Sequence, residues 1–150
     1  MYKRILLTLD GSDLAEQALP HAVAQAERFQ AELILLRVLE PLGEKISKRG
    51  AGFDKAEETI RDMAREYLER VSTGIHERGI QLRVVMIEGR PYEEIIRFAE
   101  TEQVDLIVIC TRGHSGFNRW LMGSVADRVT RGVCIPVLLV RAQKEELKGV

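Results

Sequence analysis

A pattern suited to phosphate binding lies in the carboxyl-terminal third of the chain, at Gly113, Gly123 and Ser124. Gly123 and Ser124 lead directly into a segment with helical periodicity, and the first amide groups of a helix have no partner within it. Those N–H groups and the helix dipole attract anions, and glycine lets the backbone approach a phosphate closely. Arg112, Arg119 and His114 could add positive charge nearby. The alternative is a loop whose glycines only turn the chain, with Ser124 as an ordinary helix cap.

Asp10 follows the first apolar run of the sequence, and its carboxylate has two interpretations. Ligands of open α/β sheets bind beyond the carboxyl ends of the strands, where a carboxylate can accept hydrogen bonds from ribose hydroxyls. Asp10 can equally cap the first helix or bond the backbone of a turn. Neither Asp10 nor the glycine segment is specific by itself.

The sequence lacks the motifs of several common metal and catalytic sites. Its three histidines lie far apart, and none is spaced from Cys110 or Cys134 as in a zinc site. A Walker A lysine and a GxSxG nucleophile motif are also missing from the sequence. We therefore predict no metal-binding residue and no catalytic residue.

The two cysteines are expected to be free thiols. Cys110 ends a predicted strand and Cys134 precedes the next parallel one, so they belong to opposite ends of the sheet. Five residues of strand span about 16 Å, whereas bridged Cα atoms lie within about 7 Å of each other. A redox-sensitive Cys110 would need a lowered pKa and access to solvent, so a buried structural thiol is the simpler interpretation.

Length and composition indicate one globular domain over residues 1–150. The chain has 150 residues, of which 45% are apolar, 30% charged and 5% aromatic. A net charge of −1 offers no broad attraction to nucleic acid or anionic lipid, so we expect neither partner. The apolar run Ile5–Leu9 is too short for a signal peptide or a membrane span, and we therefore predict a cytoplasmic protein.

Alternating strand-like and helix-like segments predict an α/β fold. The apolar runs contain few polar residues, which is typical of strands covered on both faces of a parallel sheet. Right-handed crossovers then give an open five-stranded parallel sheet with helices on both faces. The predicted strands are Ile5–Leu9, Leu33–Val38, Leu82–Ile87, Leu106–Cys110 and Pro136–Val140.

Local signals mark the ends of four helices. Ser12 is expected to cap the first helix, which Pro20 should kink. Gly79, in a left-handed conformation, should end the second helix, and Pro91 should begin the third. The fourth is expected to start near Ser124, because Ser124–Asp127 has the spacing of a capping box.

The sequence also predicts a loop, a tail and an exposed edge strand. Residues 41–53 contain three glycines and several cations, and are predicted to be a flexible loop, either a mobile lid or a disordered insertion. Residues 141–150 are predicted to be a polar tail. The strand Pro136–Val140 should form an uncovered sheet edge, which pairing with a second copy around a two-fold axis would bury. We therefore predict a homodimer through this strand.

Taken together, these features resemble the universal stress protein family. The opening Lys3–Ser12, the strand ending Leu35–Val38, the glycine segment and Pro136–Val140 follow the family's order and spacing over essentially the whole chain. Nucleotide-binding members carry Gly-x2-Gly-x9-Gly-Ser/Thr, which this chain satisfies from its second glycine onward. Cys110 stands at the first glycine, where its thiol would narrow the site and where a positive φ, if required, would carry a backbone penalty.

The resemblance implies a Rossmann-like fold, similar to that of the adenine nucleotide alpha hydrolases. It also implies a homodimer that binds ATP or another adenine nucleotide, with or without Mg²⁺, and acts in the stress response through an unidentified protein partner. Asp10 would contact the ribose, and the Val38 backbone would pair with adenine. The phosphates would be held by Gly113, Gly123, Ser124 and Val125, with Arg112 adding positive charge.

Two alternatives stay open. Family members that lack the glycine pattern imply a dimeric interaction module without nucleotide, which a blocking Cys110 thiol would favour. An enzyme, such as a nucleotide hydrolase, is the third interpretation, although the sequence shows no residue to activate a water. At most slow, incidental ATP hydrolysis is expected.

Overall fold

The computed structural model describes residues 1–44, 51–111 and 123–143. Strands and helices alternate along these residues, as the sequence predicts. The strands are β1 (Arg4–Leu9), β2 (Glu32–Leu39), β3 (Leu82–Glu88), β4 (Leu106–Thr111) and β5 (Val137–Arg141). The α-helices are α1 (Asp13–Glu16), α2 (Leu19–Phe29), α3 (Ala51–His76), α4 (Pro91–Thr101) and α5 (Ser124–Gly132), and a 3₁₀ turn covers Leu42–Glu44.

All five strands form one parallel sheet in the order β3-β2-β1-β4-β5. The prediction of an open five-stranded parallel sheet is confirmed. The chain builds outward from β1 to β2 and β3 on one side, and then to β4 and β5 on the other. The direction of winding therefore reverses between β1 and β4, and a crevice opens beyond their carboxyl ends.

Alternate residues of the central strands supply two separate hydrophobic cores. Leu7, Leu35 and Val108 are fully buried on the face covered by α1, α2 and α3. Leu6 and Ile107 are buried on the opposite face, under α4 and α5. Burial of each such side chain contributes about 1.5–3 kcal/mol. The continuous apolar runs of the sequence follow from this double coverage.

Most of the predicted helix ends are confirmed. The Ser12 hydroxyl accepts a 3.2 Å hydrogen bond from the Ala15 N–H and caps α1. Gly79 has a φ of +70° just beyond α3, and α4 begins at Pro91. The kink expected at Pro20 is a full interruption, since α1 ends at Glu16 and α2 begins at Leu19. Proline has no N–H to continue the helical hydrogen bonds across this point.

The prediction of a capping box over Ser124–Asp127 is wrong. Gly123 is the N-cap of α5, with φ −54° and ψ 146°, and no side chain makes the capping hydrogen bond. Glycine is itself an accepted N-cap residue, and the helix starts one position earlier than a capping box with Ser124 as the N-cap requires. Ser124 is thus the first helical residue, and its exposed hydroxyl is not used as a cap.

The segments predicted as a loop and a tail contribute to neighbouring elements. Within 41–53, residues 42–44 form the 3₁₀ turn and α3 already begins at Ala51, while 45–50 lie outside the described residues. Arg141 ends β5 and Ala142 is buried, while 144–150 also lie outside the described residues. None of the helices in the described ranges is long and apolar enough to cross a membrane.

Candidate functional site

A cavity of about 600 Å³ lies at the carboxyl ends of β1, β2 and β4 and at the start of α5. Its size is typical of small-molecule sites, which span roughly 300–1,000 Å³. Five of the seven predicted site residues line it together: Asp10, Val38, Gly123, Ser124 and Val125. The other two, Arg112 and Gly113, lie outside the described residues, as do His114 and Arg119.

Asp10 bonds the turn that follows β1. One of its carboxylate oxygens accepts hydrogen bonds from the Ser12 N–H at 2.9 Å and from the Ser12 hydroxyl at 2.5 Å. The turn interpretation of Asp10 is therefore confirmed. A carboxylate has about four acceptor positions, so this role is compatible with accepting a ribose hydroxyl as well. Asp10 is exposed on the cavity wall, where a ligand can reach it.

Arg37 is a cavity residue that sequence reasoning missed. It lies in β2, next to Val38, and its guanidinium carbon stands 5.1 Å from the centre of the Tyr67 ring of α3. The guanidinium also lies against the turn at Gly11, whose φ is +85°. The sequence contains one indication of this role, because Arg37 is a cation in an otherwise apolar run. Its partner on α3 depends on packing that periodicity does not reveal.

Tyr67 carries a buried hydroxyl beside this site. Among the described residues, the hydroxyl has no hydrogen-bond partner. Burial raises the pKa of Tyr67 to about 12, and the negative charges of Glu16 and Asp10 add to the effect, against the opposing charges of Arg37 and Arg70. Tyr67 is therefore neutral at physiological pH and acts as a stacking surface for Arg37.

The Cys110 thiol is turned toward α1. Its Sγ–H donates to the Leu14 carbonyl at 3.0 Å, and the side chain packs against the core that α1, α2 and α3 cover. Cys110 belongs to β4 and pairs with Val140, so its backbone is extended and carries no left-handed strain. Burial raises the pKa of the Cys110 thiol, and the charge of Asp10 raises it further. The thiol form thus predominates at neutral pH, and both cysteines are free.

A second cavity, of about 450 Å³, adjoins the first across the start of α5. Both cavities are lined by Glu40, Pro91, Ser124 and Val125. The second adds Arg90, Tyr92 and Arg128, which sequence reasoning also missed. The Arg128 guanidinium carbon lies 4.6 Å from the centre of the Tyr92 ring.

The sheet order and the cavity at its switch point define an α/β protein of the Rossmann-like kind. The universal stress protein family model matches residues 1–141. The universal stress protein MJ0531 of Methanocaldococcus jannaschii is 35% identical over 146 residues, which cover 97% of this chain and 86% of that protein. The chain belongs to the universal stress protein family, and the predicted resemblance is confirmed.

Solved structures share the fold. Protein MJ0577 of the same organism has a TM-score of 0.83 and 30% identity, covering 97% of this chain and 99% of that one. A universal stress protein solved in complex with cAMP is 24% identical, with a TM-score of 0.65 and coverage of 93% and 96%. An Arabidopsis thaliana family member solved with AMP bound is 17% identical, with a TM-score of 0.66 and coverage of 96% and 94%. At these two identities the likeness shows the common fold.

Proposed function

We propose that this protein is a cytoplasmic, homodimeric universal stress protein that binds ATP or another adenine nucleotide and alters its contacts with a protein partner in response. The observation that carries the proposal is the first cavity, which brings Asp10, Val38 and the start of α5 together at the switch point of the sheet. Family members that were solved with cAMP and with AMP support this choice of ligand.

Each end of the first cavity suits a different part of a nucleotide. The Val38 backbone at the end of β2 would pair with adenine, and Asp10 would accept a ribose hydroxyl. The N–H groups that open α5 have no helical partner, and they would receive the phosphates at Gly123, Ser124 and Val125. The exposed Ser124 hydroxyl, which caps nothing in the helix, can donate to a phosphate oxygen. Arg112 and Gly113 complete the proposed set.

The direction of the Cys110 thiol favours nucleotide binding over the dimeric module without nucleotide. A sulfur that donates to the Leu14 carbonyl is directed toward α1. The extended backbone of Cys110 shows that β4 accommodates a side chain there without a positive φ. The replacement of the first motif glycine is therefore compatible with an open site.

Mg²⁺ would arrive with the phosphates. This ion prefers oxygen ligands, which the phosphates themselves offer. In the described part of the chain, no group of three His, Cys, Asp or Glu side chains could hold a metal ion. The bound phosphates would therefore have to supply part of the coordination. We assign no protein ligand and no catalytic base, and the proposal is one of binding.

The homodimer is proposed through β5. This strand lies at one edge of the sheet that the described residues form, and no other strand of those residues neighbours its outer N–H and C=O groups. Leu139 is exposed there. Pairing of two β5 strands around a two-fold axis would give these backbone groups hydrogen-bond partners and would cover the Leu139 side chain.

The test begins with protein purified without added nucleotide, denatured and examined for released adenine nucleotides by chromatography. Titration calorimetry with ATP and Mg²⁺ then compares the native protein with Gly123→Val. The added side chain would occupy the space of a phosphate, while a φ of −54° is allowed for valine. We expect binding to be lost in this variant.

The matched control is Gly74→Ala. Gly74 lies in α3, where an added Cβ meets no atom within 4 Å, so its binding should equal that of the native protein. Absence of released nucleotide together with absence of calorimetric binding by the native protein would refute the proposal and favour the dimeric module without nucleotide.

A further inference from the structure

Among the described residues, the charged side chains that line the two adjoining cavities sum to opposite signs. The charged residues that line the first are Asp10, Arg37 and Glu40, a net charge of −1 in the described part of the chain. Those that line the second are Glu40, Arg90 and Arg128, a net charge of +1 over the same described ranges. A ligand that spans both would place hydroxyl groups at the first cavity and negative groups at the second.

The boundary between the cavities lies where the proposed function places phosphate. Ser124 and Val125 at the start of α5 line both cavities. A phosphate bound to their amides would therefore stand at the entrance of the second cavity. Further phosphates attached to it have a path toward the Arg128 side chain, one helical turn along α5 from Ser124.

In the part of the chain that the structure describes, the Arg128 side chain is positioned by an aromatic ring rather than by an acidic partner. Its guanidinium stacks on the Tyr92 ring at 4.6 Å, and a ring face attracts and orients a cation. Neighbouring arginines form ion pairs: Arg131 bonds Asp127 at 3.0 Å and Arg90 lies 3.5 Å from Glu93. Within the described residues Arg128 forms no ion pair, so its donors remain available to a ligand.

We propose that the second cavity receives the phosphates beyond the first and that Arg128 contacts them, so that the protein prefers nucleoside di- and triphosphates to monophosphates. This inference rests on the proposed function and specifies its ligand. Glu40 opposes a bare polyphosphate from the shared wall. A divalent cation carried with the phosphates would offset that repulsion, and the affinities are therefore measured with Mg²⁺ present.

The test measures the affinities of AMP, ADP and ATP for the full chain by titration calorimetry with Mg²⁺. For the native protein we expect ADP and ATP to bind more tightly than AMP. Arg128→Gln should weaken ATP by about tenfold or more, the usual effect of losing a hydrogen bond to a charged group. The affinity for AMP should stay within about twofold, since its one phosphate contacts the helix start.

Arg131→Gln is the matched control. Arg131 is an exposed arginine of the same helix that lines neither cavity, and its loss should leave all three affinities unchanged. Thermal unfolding verifies that each variant is folded. The inference is overturned if Arg128→Gln changes ATP and AMP binding equally, or changes neither, while the nucleotide-binding proposal survives. Failure of the native protein to bind any of the three would refute both.

Discussion

The Arg37 guanidinium occupies the space into which a side chain on Gly11 would extend. A Cβ built on Gly11 would lie 2.7 Å from Arg37 Nη2, and the backbone there has a φ of +85°. The left-handed conformation favours glycine at this position, and the missing Cβ leaves the space that the flexible Arg37 guanidinium occupies. A side chain added at Gly11 would therefore disturb both the turn that holds Asp10 and the position of Arg37 in β2.

Gly11→Ala is expected to destabilise the protein. A left-handed alanine costs about 1–2 kcal/mol, and the added Cβ also displaces Arg37 from the Tyr67 ring. Urea unfolding would measure the loss, and the Arg37→Ala background should show a smaller loss because the displaced side chain is gone. Equal losses in the two backgrounds would contradict the proposed coupling between the turn and Arg37.

The Tyr67 hydroxyl predicts a loss of stability in alkali. The pKa of Tyr67 is about 12 in the folded chain, against about 10 when unfolded. The folded state therefore holds this proton more tightly than the unfolded state does. The resulting contribution to the free energy of unfolding is fully present below pH ~10 and is lost as the pH rises toward ~12. Solvent screening at this half-buried site limits the effect to about 1–2 kcal/mol.

Tyr67→Phe tests this prediction. The variant should show less decline in the free energy of unfolding between pH 10 and 12 than the native protein shows. At pH 7 its stability should equal or exceed the native value, since a buried hydroxyl without a partner is removed. Unfolding by urea at several pH values measures both effects, and an unchanged pH dependence would show that another group titrates.

The contrast between predicted and missed features has a physical basis. Strands such as Leu33–Val38 were recognised because residues covered on both faces are continuously apolar. Ser124 was mistaken for a cap because glycine and serine both serve as N-caps, so the pattern left the helix start uncertain by one residue. The pairs Arg37 with Tyr67 and Arg128 with Tyr92 join distant elements, and hydrophobic periodicity does not report which surface residues meet.

The direction of the Cys110 side chain was accessible from the sequence. Residues two apart in a strand share a face, and Val108 faces the core under α1, α2 and α3. Cys110 must follow it, and its thiol reaches the Leu14 carbonyl on that side. Cys110 also lines the first cavity, and the expectation that its thiol narrows the site stays a prediction.

Cys110→Gly should therefore leave nucleotide affinity within about threefold of the native value. Its main effect is on stability, because the variant loses packing and places glycine in a strand, at a cost of about 1–3 kcal/mol. Calorimetry with ATP and urea unfolding measure the two quantities. A large gain in ATP affinity would instead identify the thiol as an obstruction of the site.

The final prediction concerns the two edges of the sheet, which offer a matched comparison. Leu139 on β5 is 39% exposed and Val84 on β3, at the opposite edge, is 43% exposed. If the dimer forms through β5, Leu139→Lys places two charges beside each other at the two-fold axis and desolvates them. We expect light scattering to show a monomer for Leu139→Lys and a dimer for Val84→Lys. Because both substitutions replace an edge aliphatic residue of similar exposure with lysine, a difference between them reports the interface rather than a general loss of stability. Dissociation by Val84→Lys alone would move the interface to β3.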